Sequence, residues 1–140
     1  MQTRNLNALL TFDAWYEDDP AARVRADFPF TAATGNTSTS MVYFEIEPGH
    51  RLGTHTDSAE EIVVVLEGNV EATIGDERAE IPAGGAVLVP AMAPHAVRNI
   101  GEGRARCIGF FAAAGVESVF DRTVMPFGTH VISTVVESAV

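Results

Sequence analysis

Two imidazoles and two carboxylates in this chain are spaced for metal chemistry. His55 and Asp57 lie two residues apart, so an extended strand turns both side chains to one face. After the polar break Ser58-Ala59-Glu60, Glu61 opens the apolar run Ile62-Val63-Val64-Val65-Leu66, the composition of a strand buried on both faces. Gly68 closes that run where the backbone must turn. A second stretch, Gly84 to Asn99, answers the first: Val87-Leu88-Val89 is a short apolar strand and Pro90 and Pro94 bracket a loop. His95 then begins a strand on which Val97 and Asn99 share its face. With the two stretches side by side, His55, Asp57, Glu61 and His95 converge inside a barrel as donors for a divalent cation.

Neutral imidazole suits Zn, Cu, Fe and Ni, whereas carboxylate favours Mn, Mg and harder ions. The mixed set therefore points to Fe(II), Mn(II), Ni(II) or Zn(II), with Fe(II) or Mn(II) favoured. Should Asp57, the shorter side chain, fall short of the ion, His55, Glu61 and His95 remain. Two histidines and one carboxylate with open positions characterise non-haem Fe(II) oxygenases.

The elements that must position these residues read as β throughout. Thr39 to Glu47 alternates Met41/Tyr43/Glu45, expected toward solvent, with Val42/Phe44/Ile46, expected toward the core. Residues 70–74 and 78–81 form a hairpin around the two-residue turn Gly75-Asp76. Residues 104–112 read as the last clear barrel strand; two glycines and a row of alanines then loosen the pattern. Val124 to Gly128 is a Pro/Gly-marked corner, and residues 130–136 are a final β-branched strand, at an edge or between subunits. At the other end, Phe12, Trp15 and Tyr16 form an aromatic patch before the acidic break Glu17-Asp18-Asp19. Pro20 starts a short helix over residues 21–27.

In these two stretches the chain resembles the cupins, small double-stranded β-helix (jelly-roll) barrels. Their first motif, G-x5-H-x-H-x3,4-E-x6-G, is met by Gly49, His55, Glu61 and Gly68, with Asp57 where the second His is expected. Their second, G-x5-P-x-G-x2-H-x3-N, is met by Gly84, Pro90, His95 and Asn99, with Met92 replacing the usual Gly. The resemblance implies one all-β domain over residues 1–140, with a barrel core at about 38–112 and extensions at 1–37 and 113–140. It also implies a metal held by His55, Asp57, Glu61 and His95, and a homodimer. Small members often pair through an N-terminal strand, so residues 1–37 pack either on a second subunit or as a strap over their own barrel. Some lyase members carry a tyrosine two residues past the metal glutamate; Val63 stands there, which counts against that chemistry. The fold hosts many reactions and does not choose one.

The departure at Asp57 carries electrostatic information. Three His and one Glu around a divalent ion leave a net charge of +1, and exchanging one His for Asp brings it to zero. The ion is then a weaker Lewis acid and its higher oxidation state is easier to reach. That favours an oxygenase or dioxygenase acting on a small organic molecule that chelates the metal. The alternatives are a non-redox isomerase, lyase or cyclase, and a barrel that binds a small ligand without catalysis.

Other polar residues have plainer readings. Glu60 faces away from Glu61 and is solvated; His50 lies in a surface turn; His130 is structural; Asn99 bonds backbone at a strand end. Arg98 faces outward, and Arg51, near the barrel mouth, is either an exposed loop residue or a greeting for an anionic substrate. Val63, Val65, Val97 and Phe110 or Phe111 are expected to wall a small apolar pocket without a second general base. Cys107, the sole cysteine, reads as a buried thiol and excludes an internal disulfide.

Composition bounds the rest. At 140 residues and 46% hydrophobic, the chain suffices for one folded domain and is too short for two. All nine basic residues are arginine, which removes lysine Schiff-base catalysis. The net charge of −10 argues against nucleic acid. No apolar run reaches transmembrane length and no signal-peptide pattern opens the chain, so a cytoplasmic protein with no membrane contact is expected.

Overall fold

The computed structural model describes residues 1–137, so the last three residues of the expected C-terminal extension lie outside the described residues. Strands β1 (Phe12–Tyr16) and β2 (Asp19–Phe30) form a hairpin, and a single 3-10 turn at Ala32–Thr34 leads into β3 (Ser40–Ile46). Strands β4 (Arg51–Asp57) and β5 (Glu61–Glu67) carry the first chemical stretch. The hairpin of β6 (Asn69–Ile74) and β7 (Glu77–Pro82) follows, with Gly75-Asp76 as its two-residue turn. Strands β8 (Ala86–Val89) and β9 (His95–Asn99) carry the second stretch. The described chain ends in β10 (Ala105–Phe111), β11 (Glu117–Met125) and β12 (Thr129–Ser133). Among the described residues there is no α-helix, and no helix long and apolar enough to cross a membrane.

All strands join one antiparallel sheet in the spatial order β7-β6-β9-β4-β11-β1-β2-β3-β10-β5-β8, with β12 attached to β11. The sheet curls into a nearly closed jelly-roll barrel, the fold class expected. Its ends, β7 and β8, are adjacent in sequence, and the turn between them is tied to β5. Val65 N–H donates to Gly85 O (3.0 Å) and Gly84 N–H to Val65 O (2.8 Å).

Alternation fills the interior. β5, expected from its composition to be buried on both faces, is buried on one: Val63 and Val65 point inward, while Ile62 and Leu66 are exposed. These valines pack with Phe44, Ile46, Val70, Val97 and Cys107 in one continuous core. Each buried side chain of this kind contributes about 1.5–3 kcal/mol of apolar burial. Asn99 closes one end: its amide donates to Ile46 O (2.7 Å) and Gly103 O (2.9 Å). Cys107 is fully buried, and burial pushes its thiol up to about 12.

The structure departs from the sequence expectations at four further places and selects between the two alternatives at the N-terminus. Residues 21–27 are the middle of β2, not a helix: Ala22, Val24 and Ala26 are buried while Arg23 and Arg25 turn out, a period of two that outweighs the propensity of the alanines. Tyr43, expected toward solvent, is only 1% exposed. The N-terminal segment lies over its outer face, held by Arg106, which donates to Tyr43 Oη (2.7 Å), Leu6 O (3.2 Å) and Asn7 Oδ1 (2.9 Å). The N-terminal hairpin pairs within its own chain, β1 with β11 and β2 with β3, so it is a strap on its own barrel. Residues 117–125, beyond residues 104–112 that read as the last clear barrel strand, form a long strand that contacts β4, β1 and β12. The final strand is shorter than 130–136 and pairs only with β11, making it an edge.

Candidate metal centre

The site is assembled across the β4–β9 pair. His55 and His95 are direct cross-strand partners, with ring centroids 4.1 Å apart. Pairing with a carbonyl two residues earlier fixes each ring: His55 Nδ1 lies 2.8 Å from Gly53 O, and His95 Nδ1 lies 2.9 Å from Ala93 O. A carbonyl only accepts, so both Nδ1 atoms carry the proton, and in neutral imidazole the Nε2 lone pair is left facing inward.

Asp57 stands one pleat further along β4. Ser118 of β11, its cross-strand partner, donates its hydroxyl to Asp57 Oδ1 at 2.5 Å. The other oxygen, Oδ2, lies 3.1 Å from His95 Nε2 and 3.5 Å from His55 Nε2. Neither Asp57 Oδ2 nor His95 Nε2 has a hydrogen-bond partner, although both are buried. Buried polar atoms ordinarily find partners, and a shared cation would satisfy both. One donor atom each from His55, Asp57 and His95 lies within 4.8 Å of the others, a group able to take a metal ion.

Glu61 is buried beside this group, with Oε1 3.5 Å from His95 Nε2, while Glu60 is exposed. It reaches its place because Gly109, across the β5–β10 pair, has no side chain: a Cβ there would collide with the Glu61 carboxylate. The sequence named Asp57 as a donor but left open whether so short a side chain reaches the ion, with Glu61 as the carboxylate that would remain. Asp57 lies in the tight group with the imidazoles, and Glu61 stands at its margin. Ser118 accounts for this, because it grips one Asp57 oxygen and turns the other toward the imidazoles.

Burial works against charge on all these groups. At Asp57 the facing imidazoles and the Ser118 hydroxyl outweigh it and hold the carboxyl well below the usual carboxylate range. At Glu61 burial wins, aided by the charge of Asp57, and its carboxyl is raised. His95, opposed by burial but flanked by Asp57 and Glu61, is pushed up to about 10. Two buried acids thus ask for positive charge at the position of the His95 Nε2 atom. The donor set, the inward lone pairs and the orphaned atoms all fit a divalent ion.

Beyond the donors lies a cavity of about 90 Å³. Val63, Val97 and Phe111 line it as expected. Val65 and Phe110 do not: Val65 is sealed in the core, and Phe110 alternates outward and is 43% exposed. Most of the wall comes from segments that the sequence did not assign to a site. These are Phe12 of β1, Phe28 of β2 and Phe120 of β11, together with Phe127 in the corner after β11. Phe28 stacks on Phe12 (5.9 Å), Phe127 meets Phe12 edge-on (5.7 Å), and Phe120 stacks on His55 (4.5 Å, 18°). The alternation Ser118/Phe120 was the one signal that could have placed β11 here.

The remaining residues singled out in the sequence are engaged elsewhere. Arg51 lines the cavity but is paired with Asp19 at 2.7 Å. Arg98 faces out toward Glu71 (3.4 Å), and His130 lies 3.0 Å from Phe120 O through Nδ1.

The sequence pattern of the Cupin domain family matches residues 42–111, half of the chain. The chain belongs to the cupins. Among solved structures it is similar to the oxalate decarboxylase of Lactobacillus farciminis in its formate complex. That match has 17% identity and a TM-score of 0.66, and covers 70% of this chain and 31% of that one. It is also similar to the Bacillus subtilis oxalate decarboxylase studied for its Mn(II) centres (16% identity, TM-score 0.65, 76% of this chain and 30% of that one). A conserved protein of unknown function from Streptococcus pyogenes is nearer in length (18% identity, TM-score 0.55, 66% of this chain and 75% of that one). The chain spans about three-tenths of the length of the decarboxylases, and at these identities the likeness shows the fold alone. No curated protein matches it.

Proposed function

We propose that this cupin is a metal-dependent enzyme, a non-haem oxygenase of the dioxygenase type acting on a small organic molecule that chelates the ion. The observation that carries this reading is the group of His55, Asp57 and His95 opening onto an apolar cavity. His55 and His95 would bind through Nε2 and Asp57 through Oδ2, with Glu61 either a fourth donor or the acceptor for a proton beside them. Such an ion supplies redox chemistry and Lewis-acid polarisation of a substrate oxygen. The protein's part is orientation and exclusion: carbonyls fix both imidazole tautomers, Ser118 fixes the carboxylate, and the phenyl rings keep water from the reacting atoms.

Fe(II) or Mn(II) is the proposed ion, on the strength of a donor set with at least one carboxylate. Mn(II) centres in the Bacillus subtilis oxalate decarboxylase show that a related barrel accommodates that metal. Elemental analysis of purified protein followed by oxygen-uptake assays tests the reading. Bound iron or manganese with substrate-dependent oxygen consumption supports it. Undiminished turnover without oxygen selects a non-redox isomerase or lyase, and metal that supports no turnover at all selects a ligand-binding barrel.

Two copies are proposed to pair through the outer face of β5, β8 and β10. There Ile62 lies opposite both Leu88 and Phe110, and all three are exposed. Sedimentation of wild type against Phe110→Glu checks this: a dimer is expected to become a monomer. A cytoplasmic setting agrees with the single unpaired thiol of Cys107.

A further inference from the structure

Away from the metal donors, the cavity offers a substrate almost nothing polar. Three lining residues besides the donors carry polar groups within reach of the same space, and each is already committed. Tyr16 Oη donates to Asp121 Oδ1 at 2.6 Å, Arg51 is paired with Asp19 at 2.7 Å, and Ser118 donates to Asp57. The indole N–H of Trp15 is the one exception, and Arg23 covers that ring at 4.8 Å. The Tyr16 arrangement is built in: a Cβ at Gly53 would collide with the tyrosine ring, so the side chain is seated where β4 was left bare for it. The rest of the lining is phenyl rings and branched or small aliphatic groups, among them Phe28, Phe44, Val24, Val42 and Leu52.

A phosphate, a second carboxylate or a row of hydroxyls placed here would lose its water without a replacement donor. To find a cation it would have to compete with Asp19 for the Arg51 guanidinium, whose charge that carboxylate already neutralises. The size sets a second limit. A closed cavity of roughly 150 Å³ holds one benzene; this one measures about 90 Å³ and is partly open, so a single ring fits only with its far edge at the mouth, and nothing larger fits.

We infer that the substrate class is a one-headed chelator: oxygen donors at one end for the metal, and an uncharged hydrocarbon body of at most one ring or a short branched chain at the other. This rests on the metal reading above. It sets apolar chelators against compact dicarboxylates and sugar phosphates, which would put charge against Phe28 and Phe44. The body lies among residues of β1, β2, β3 and β11, and the head lies against β4 and β9.

The test holds the head constant and varies the body. Full-length protein loaded with redox-silent Zn(II) is titrated calorimetrically with acetohydroxamate, benzohydroxamate and the monohydroxamate of succinate. Benzohydroxamate is expected to bind at least tenfold more tightly than acetohydroxamate, and the succinate compound no more tightly than acetohydroxamate. Phe28→Ala, with the same Zn(II) content, is expected to shrink the phenyl advantage to threefold or less. A second pair, benzamide against acetamide, is measured on metal-free protein, where the phenyl preference is expected to persist. Equal affinities within both pairs, or tighter binding of the succinate compound, overturns the inference. Failure to take up Zn(II), read separately by elemental analysis, counts against the metal reading, and the amide pair then decides the substrate class by itself.

Discussion

One wall of the cavity, built by β4, β5 and β9, places His55, Asp57, Glu61 and His95 within a few ångströms of each other. The opposite wall, built by β1, β2, β11 and the corner after it, contributes Phe12, Phe28, Phe120 and Phe127. The first wall lies within the segment that matches the cupin family, and the second lies wholly outside it. The donors therefore belong to the shared barrel, whereas the four phenyl rings that face them lie outside it, with Val42, Phe44, Val63, Val97 and Phe111 of the barrel completing the lining. The donors and these four rings sit on separate segments and should respond to mutation separately, except where β11 touches both.

The largest expected effect is on the donor wall. His95→Ala should weaken divalent metal binding by at least on the order of 100-fold in a competition titration, since removing a donor costs more than removing the group behind one. Phe28→Ala on the facing wall should leave that affinity within about twofold, because its ring stacks on Phe12 and not on a donor imidazole. A large loss of metal in Phe28→Ala would break the comparison. Phe120→Ala comes next: it removes a ring stacked on His55 and edge-on to Tyr16 and should lower stability by about 2 kcal/mol in urea unfolding. Ser118→Ala tests the point where the walls meet. Loss of the hydroxyl that holds Asp57 Oδ1 should weaken metal binding by about tenfold, with little change in the unfolding midpoint of the metal-free protein. A change in stability with no change in metal affinity would make Ser118 a packing residue only.

The smallest effect concerns the loop between the walls. Met92 holds φ +65°, a left-handed conformation, and its N–H donates to Asp57 O at 2.8 Å. The family places glycine at this position, and the backbone explains why. Met92→Gly should relieve that strain and, after the added freedom of the unfolded chain, raise stability by about 0.5–1 kcal/mol in the same urea assay.

The barrel could be read because its signals are local. The β-branched run from Ile62 to Leu66 marks a strand, Gly75-Asp76 turns a hairpin, and the spacing of His55, Asp57, Glu61 and His95 is carried by two short stretches. The rest depended on long-range pairing, which spacing does not encode. Residues 21–27 combine alanines with a preceding proline, and only their pairing with β1 and β3 makes them a strand. Tyr43 looked solvated because the segment that covers it starts at the other end of the chain. Ser118 and Phe120 lie in a stretch of mixed polarity, and their role follows from β11 pairing with β4 at Asp57 and His55. Even the order of the donors was a matter of reach: Asp57, the shorter acid, comes in close because a residue far along the chain holds it there.

Trp15 is the single tryptophan in the sequence, and it stands in the lining of this cavity. The tryptophan emission of the native chain, excited beyond the absorption of its two tyrosines, therefore originates beside this cavity. A molecule that enters, or an ion that quenches, will register as a change in colour or brightness of that one residue. The protein carries its own lamp, and tenancy of the barrel can be followed without dye, label or mutation.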